Sequence, residues 1–202
     1  MHKDKMAQSV VELKCPGCGA PVSTDQQECQ WCHSPINIAT FNSVANMTMP
    51  ELGKYSRSYQ QALTTHPDDA TLNKSIALVY LKLKMYDKAA AAFAKAVEDN
   101  FDDSESYFYA ACCLLNGKKA FLNNRQTIDQ CTEYINAALM IEPKGIYHYF
   151  LAYIGYDYFA RKHLRTSPTY LESLQAARSA GLSNHDIGQL YAILGVARPS
   201  SL

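Results

Sequence analysis

The sequence lacks the segments that mark exported and membrane-spanning proteins. Its first residues, MHKDKMAQSVVELK, are charged from the start and contain no apolar run of roughly 7 to 15 residues, so they do not predict a secretory signal. No later stretch approaches the roughly 18 to 20 consecutive apolar residues of a membrane-spanning helix. We therefore expect a cytoplasmic protein with no membrane span.

An excess of charge of either sign is also missing. The 202 residues include 19 Lys and Arg and 19 Asp and Glu, which gives a formal net charge of +0. Proteins that bind nucleic acid or acidic surfaces mainly by electrostatic attraction carry a basic excess. Nucleic acid is therefore not expected as the main partner. One short basic cluster, RKHLR at positions 161–165, is interpreted as a solvated loop.

Catalytic motifs are missing as well. The sequence contains no Gly-rich phosphate loop, no G-x-S-x-G nucleophile elbow and no H-E-x-x-H pair. Cys112, Cys113 and Cys131 lie in apolar helical patterns, where cysteine usually packs as a small hydrophobic residue. We expect a protein that is not an enzyme and has no small-molecule substrate.

What the sequence does contain is a cysteine pattern typical of a metal site. Cys15-Pro-Gly-Cys18 is followed after ten residues by Cys29-Gln-Trp-Cys32. Each C-x2-C pair forms a tight turn, and two facing turns place four sulfurs at the corners of a tetrahedron. That arrangement is the closed coordination of structural zinc. The pattern predicts one structural zinc ion with these four cysteines as ligands.

Two alternatives for this site remain open on the sequence. Iron binds four thiolates with the same geometry, and His33 follows Cys32 directly and offers a different fourth ligand. We expect Trp31 to cap the small core of this segment. The segment resembles a zinc ribbon or rubredoxin-type knuckle pair, which implies a small β structure over residues 13–38.

Helical periodicity replaces this pattern from Pro50 onward. The clearest unit covers residues 70–103 and contains two amphipathic helices around a turn at Met85–Asp87. Its small and aromatic residues alternate in a way that lets two helices pack closely, at Ala77, Tyr80, Ala89, Phe93 and Ala96.

These five positions resemble a tetratricopeptide repeat, and Ala111 lies one repeat length of 34 residues after Ala77. The unit departs from the family at the early Trp, which is Asn73 here, and at the closing Pro, which is Phe101. Two looser units follow, lengthened at residues 117–124 and 161–167. The resemblance implies a mainly α fold: a right-handed α-solenoid of about eight helices, with a small β zinc ribbon at its N-terminus.

Stacked helical hairpins of this family form a concave groove that binds a peptide or helix of another protein. The family's groove positions predict a mostly apolar and aromatic lining made of Lys74, Leu78, Leu81, Phe108, Leu115, Tyr147, Phe150 and Ile154. As an alternative, Phe108, Tyr147 and Phe150 pack against a neighbouring repeat or against the zinc module.

The expected organisation of the chain has five parts: a flexible N-terminus (1–12), the zinc ribbon (13–38), a packed linker (39–49), the helical repeats (50–197) and a tail (198–202). The linker, ATFNSVANMTM, is too apolar for a free tether. We expect it to pack along the first helix and to fix the ribbon against the solenoid.

Together these features predict a non-enzymatic adaptor that binds a protein segment in its groove. One alternative is a nucleic-acid-associated zinc-ribbon protein. A second is an assembly module in which the chain associates with itself.

Overall fold

The computed structural model describes residues 10–98 and 100–202. Residues 1–9, within the predicted flexible N-terminus, lie outside that part. Two short strands come first, β1 (Glu12–Lys14) and β2 (Pro21–Ser23), and they pair antiparallel with Leu13 opposite Val22. The first strand therefore begins at Glu12, and Val11 before it is already buried.

Helices account for most of the remaining chain. Their bounds are α1 (Phe41–Ala45), α2 (Met49–Leu63), α3 (Ala70–Lys82), α4 (Tyr86–Glu98), α5 (Ser104–Leu114), α6 (Arg125–Ile141), α7 (Gly145–Ile154), α8 (Tyr170–Ser179) and α9 (Asn184–Leu194). Helix α7 continues through a π-helical segment (Gly155–Phe159) and a 3-10 turn (Ala160–Lys162), and a second 3-10 turn (Ala120–Leu122) lies between α5 and α6.

The helix boundaries follow from capping residues that the sequence shows. Asp69 and Asp103 accept a hydrogen bond from the backbone N–H three residues later and so begin α3 and α5. Thr48 with Glu51 and Ser183 with Asp186 form capping boxes at α2 and α9. Pro50 occupies the first turn of α2, where its missing N–H has no helical partner to lose.

Helical hairpins stacked in order make up the architecture. Helices α3 and α4, α5 and α6, and α7 and α8 form pairs, while α2 packs on α3, α4 on α5, and α6 on α7. One continuous core runs from the ribbon through all the repeats to α9. The prediction of a mainly α solenoid with a small N-terminal β ribbon is confirmed.

The linker contains a short helix, α1, which the sequence did not indicate. Phe41 and Val44 are buried on it, and α1 packs against α3. None of the helices in the described part of the chain combines the length and the apolar character needed to cross a bilayer.

Candidate metal centre and concave cleft

The four cysteines of the two C-x2-C pairs come together at one end of the ribbon. Their sulfur atoms all lie within 4.8 Å of one another. Sγ of Cys15 is 3.5 Å from Sγ of Cys32, and Sγ of Cys18 is 3.7 Å from Sγ of Cys29. A tetrahedron of sulfurs about 2.3 Å from a central zinc has edges of about 3.8 Å. The spacing therefore fits a single tetrahedral metal ion.

Both knuckles use the same backbone turn. The N–H of Gly19 donates to the carbonyl of Cys15 at 2.9 Å, and the N–H of His33 donates to the carbonyl of Cys29 at the same distance. Gly19 and His33 each have a positive φ, +80° and +56°. His33 thus occupies the turn position that Gly19 fills in the first knuckle, and the four-sulfur cluster is complete without it.

Close approach of the two knuckles requires a glycine at position 17. A Cβ atom there would lie 2.3 Å from Oγ of Ser34 and 3.0 Å from Sγ of Cys32. Both distances are shorter than van der Waals contact, so any side chain would push the second knuckle away from the first. Gly17 is therefore a determinant of the metal site, although it supplies no ligand.

Burial and hydrogen bonds shift the pKa values of the Cys15 and Cys32 thiols in opposite directions. Burial raises the pKa of the Cys15 thiol to about 12, despite backbone N–H groups of Cys18 and Gly17 that favour its thiolate. Hydrogen bonds from the Ser34 hydroxyl and backbone N–H lower the pKa of Cys32 to about 6. A divalent cation would favour all four thiolates, because it supplies the positive charge that the partly buried cluster lacks.

Trp31 does not cap the ribbon core, which corrects the prediction from the sequence. Its side chain is 57% exposed beside Cys32. The small core is filled instead by Val11, Leu13, Val22, Ile36 and Ile38. Ile36 and Ile38 lie after the second knuckle, where the chain crosses to the helices, so they bury their side chains without help from the tryptophan.

The ribbon is held against α2 and α3 by hydrogen bonds to its last segment. Tyr59 Oη donates to the carbonyl of Ile36 at 2.6 Å, and Tyr55 Oη donates to the carbonyl of Pro35 at 2.9 Å. The N–H of Ile38 donates to Oγ of Ser75 at 3.0 Å in a buried position. These contacts fix the four-cysteine cluster relative to the helices.

Seven of the eight side chains predicted to line the groove are buried: Leu78, Leu81, Phe108, Leu115, Tyr147, Phe150 and Ile154. Phe108 packs against the rings of Tyr147 and Phe150, with centroid distances of 4.9 and 5.8 Å. Lys74 forms an ion pair with the N-cap Asp103 at 2.9 Å. In this structure these side chains therefore pack against neighbouring helices, as the alternative interpretation of the sequence expects, and do not line an open groove.

Two segments from opposite ends of the chain cover the concave face and explain this burial. The ring of Phe41 on α1 packs against the ring of Tyr109, with their centroids 6.1 Å apart. Helix α9 packs on α5 and α7, and its Ile193 carbonyl accepts a hydrogen bond from Tyr86 Oη at 2.9 Å. The two segments meet where Nε2 of Gln189 donates to Oδ1 of Asn42 at 2.7 Å.

A cleft of about 290 Å³ remains between these covering segments and the repeats. Phe108 and Tyr147 contribute aromatic surface to it, so two of the predicted groove residues do line a concave site. Its polar groups include Asn42, Gln189 and an ion pair in which Nζ of Lys144 lies 3.3 Å from Oε1 of Glu105. The sequence did not indicate the contributions of Asn42 and Gln189, because they come from the linker and the terminal helix.

The remaining cysteines behave as packing residues. Cys112, Cys113 and Cys131 are buried, and burial raises the pKa of each thiol. Sγ of Cys131 donates to the carbonyl of Ala111 at 2.9 Å. A buried thiol held as the neutral form is a poor nucleophile and metal ligand, which agrees with the interpretation from sequence.

Comparison with known proteins gives little further assignment. No protein-family model matches the chain, and no curated protein matches it. Among solved structures, the chain is similar to MamA MSR-1 C2, with 19% sequence identity over 68% of each chain and a TM-score of 0.47. The description of the fold therefore rests on the helix packing given above.

Proposed function

We propose that this protein is a non-enzymatic adaptor that binds a short segment of another protein in the cleft between α1, α9 and the repeats. The observation that carries the proposal is the cleft itself, which is lined by charged and amide groups at Glu105, Lys144, Asn42 and Gln189 and by the partly exposed Ile146, over the buried rings of Phe108 and Tyr147. Apolar surface supplies contact area for a partner, and a few placed polar groups orient it.

The proposed metal is one structural zinc ion bound by Cys15, Cys18, Cys29 and Cys32. Four thiolates saturate a tetrahedral ion and leave no position for water or substrate, which suits a structural site. The ribbon is too small to be stabilised by its apolar core alone, so metal binding would supply much of its folding free energy. Metal analysis of the purified protein should find one zinc per chain, and iron at that stoichiometry would overturn the choice of metal.

The division of the chain into ribbon (13–38), packed linker (39–49), repeats (50–197) and tail (198–202) belongs to the same proposal. Burial of Phe41 and Val44 supports a linker that is held in place. Limited proteolysis of the metal-bound protein should spare the bonds between Phe41 and Pro50. Rapid cleavage there would contradict a packed linker.

Partner binding is tested with a bulky substitution at the cleft. Asn42 is exposed at the rim, so Asn42→Trp should obstruct the cleft with little effect on the core. Asn136→Trp places the same change on the exposed surface of α6 and serves as the matched control. Partners recovered from a nuclease-treated native lysate would be identified, purified and titrated calorimetrically against wild type and both variants.

We expect Asn42→Trp to weaken binding of a true partner by roughly tenfold or more, which corresponds to about 1.4 kcal/mol, while Asn136→Trp binds as wild type. Thermal unfolding of all three proteins controls for folding. Equal binding by the two variants would show that the cleft is not the binding surface, and the absence of any titratable partner would remove the adaptor role.

A further inference from the structure

The two lengthened loops of the solenoid, which are far apart in sequence, meet at one place on the surface. The N–H of Phe121 donates to the carboxylate of Asp157 at 2.9 Å. Nη1 of Arg161 donates to the same carboxylate at 2.5 Å, and the guanidinium of Arg161 lies 4.5 Å from the centre of the Phe121 ring. Asp157 is buried on the π-helical segment. Through these two hydrogen bonds it joins the loop at 117–124 to the loop at 161–167.

The two loops and the residues that flank them are rich in positive charge, in a protein whose formal net charge is +0. We call them the basic surface. Arg161 and Lys162 lie at the junction itself, and the other cations, assigned by their positions in or beside the loops, are Lys118, Lys119, Arg125 and Arg165. Three carboxylates lie on or beside this surface: Asp157 pairs with Arg161, Asp129 pairs with Arg125, and Asp87 accepts from Asn116 at the start of the first loop. Six cations less three carboxylates leave an excess of three positive charges.

Exposed aliphatic side chains accompany these charges. Leu122 is 67% exposed and lies in the chain between Lys119 and Arg125. Leu164 is 44% exposed and lies between Lys162 and Arg165. The aromatic rings at the junction are covered instead. Nζ of Lys162 lies 3.8 Å from the centre of the Tyr158 ring and 5.0 Å from that of Phe121. The apolar part of the surface that faces solvent is therefore aliphatic.

We propose that the basic surface binds the anionic headgroups of a lipid membrane, with Leu122 and Leu164 entering the interfacial region. Clustered Lys and Arg are attracted to anionic lipid, and aliphatic side chains beside them add affinity by leaving water. Single-stranded nucleic acid would require accessible aromatic rings on which bases stack. Here the side chains of Arg161 and Lys162 already lie over the rings of Phe121 and Tyr158. Exposed leucines suit a lipid interface better than a nucleic acid. The attachment is peripheral and does not depend on a partner in the cleft.

The test is co-sedimentation of the full, zinc-loaded chain with two kinds of vesicle. One contains only phosphatidylcholine, and the other contains equal parts of phosphatidylcholine and phosphatidylglycerol. We expect binding to the anionic vesicles alone, declining as salt is added because exposed charges are screened. Lys118→Gln/Lys119→Gln should weaken the partition by roughly thirtyfold. The matched control, Lys54→Gln/Arg57→Gln on the exposed face of α2, should bind as wild type.

A second variant separates the aliphatic contribution from the charge. Leu122→Ser/Leu164→Ser should weaken binding by roughly tenfold and leave its dependence on salt unchanged. Both substitutions fall on exposed side chains, so circular dichroism and thermal unfolding should match wild type.

Several results would overturn the proposal. Equal partition to neutral and anionic vesicles would remove the role of lipid charge, and unchanged binding of the Lys118/Lys119 variant would place the lipid contact elsewhere. Single-stranded RNA or polyglutamate that binds through Lys118 and Lys119, without any preference for anionic vesicles, would assign the surface to nucleic acid or to an acidic protein.

Discussion

The ribbon and the solenoid obtain their stability from different sources, although they share an interface. The ribbon has two three-residue strands and a handful of buried side chains, together with four clustered sulfurs. The solenoid has long helices whose buried rings and aliphatic side chains form a continuous core. A metal ion can therefore determine whether the ribbon folds, whereas packing determines whether the solenoid folds.

Removal of the metal should have the largest effect and should act mainly on the ribbon. Zinc bound to four thiolates contributes roughly 10–16 kcal/mol to the folding of small domains. We expect a chelator, or Cys29→Ser, to unfold the ribbon while most of the helical circular dichroism remains. Trp31, the single tryptophan, lies beside Cys32 and should report the change by its fluorescence.

Cys113→Ala is the control for that experiment, because it removes a buried thiol outside the cluster and should retain the metal. If helical signal and tryptophan fluorescence were lost at the same chelator concentration, the two regions would be one cooperative unit and the contrast between them would fail.

Truncation of an aromatic ring in the solenoid core should have the opposite pattern: it should destabilise the solenoid and leave metal binding by the ribbon intact. Phe93 is fully buried and stacks on Tyr109 with a centroid distance of 5.8 Å. We expect Phe93→Ala to lower the free energy of unfolding by about 3–5 kcal/mol, because it leaves a cavity, while the protein still binds metal. Urea denaturation measures the loss. Phe101→Ala is the matched control on an exposed ring, and a comparable loss there would argue against packing as the cause.

A substitution at the shared interface should have an intermediate effect. Tyr59→Phe removes the hydroxyl that donates to the carbonyl of Ile36 and leaves that buried acceptor without its partner. We expect a loss of about 1–3 kcal/mol in the free energy of unfolding, measured by urea denaturation, together with weaker metal retention in a chelator titration. Tyr156→Phe, on a hydroxyl nearer the surface, should change neither. No change for Tyr59→Phe would mean that the interface does not couple the two regions.

The smallest expected effect is a gain in the free energy of unfolding from a substitution in the solenoid. A Cβ at Gly188, in the middle of α9, would meet no atom within 4 Å. Gly188→Ala should stabilise the protein by about 0.5–1 kcal/mol, because alanine favours the helix. Gly145→Ala should destabilise it instead, since a Cβ there would lie 2.7 Å from the backbone nitrogen of Leu182. Thermal unfolding distinguishes the two signs, and a loss for Gly188→Ala would show that α9 does not tolerate a methyl group there.

The sequence indicated the local features well because short-range chemistry encodes them. C-x2-C spacing predicted a four-sulfur cluster, and those sulfurs do converge. Capping residues such as Asp69 and Ser183 are short-range signals that mark where helices begin. The helical periodicity of residues 70–103 predicted the hairpin of α3 and α4. Each of these signals lies within one turn or one hairpin.

The groove could not be read in the same way. The repeat pattern predicted that Phe108, Tyr147 and Phe150 face a groove, but no local pattern shows what packs against that face. Phe41 and Ile193, which are more than a hundred residues apart, supply the covering segments. Trp31 was also misassigned, because in so small a module a single side chain is buried or exposed according to its neighbours.

By itself, the sequence determined the four-cysteine cluster, the helical hairpins and their caps, since each depends on residues close together in the chain. Only the tertiary structure decided that α1 and α9 cover the concave face and that the loops at 117–124 and 161–167 meet at Asp157. The physical reason is that these are contacts between distant segments. Their free energy comes from the burial of one segment against the other and from the hydrogen bonds between them. The local sequence of one segment does not show which other segment it will contact.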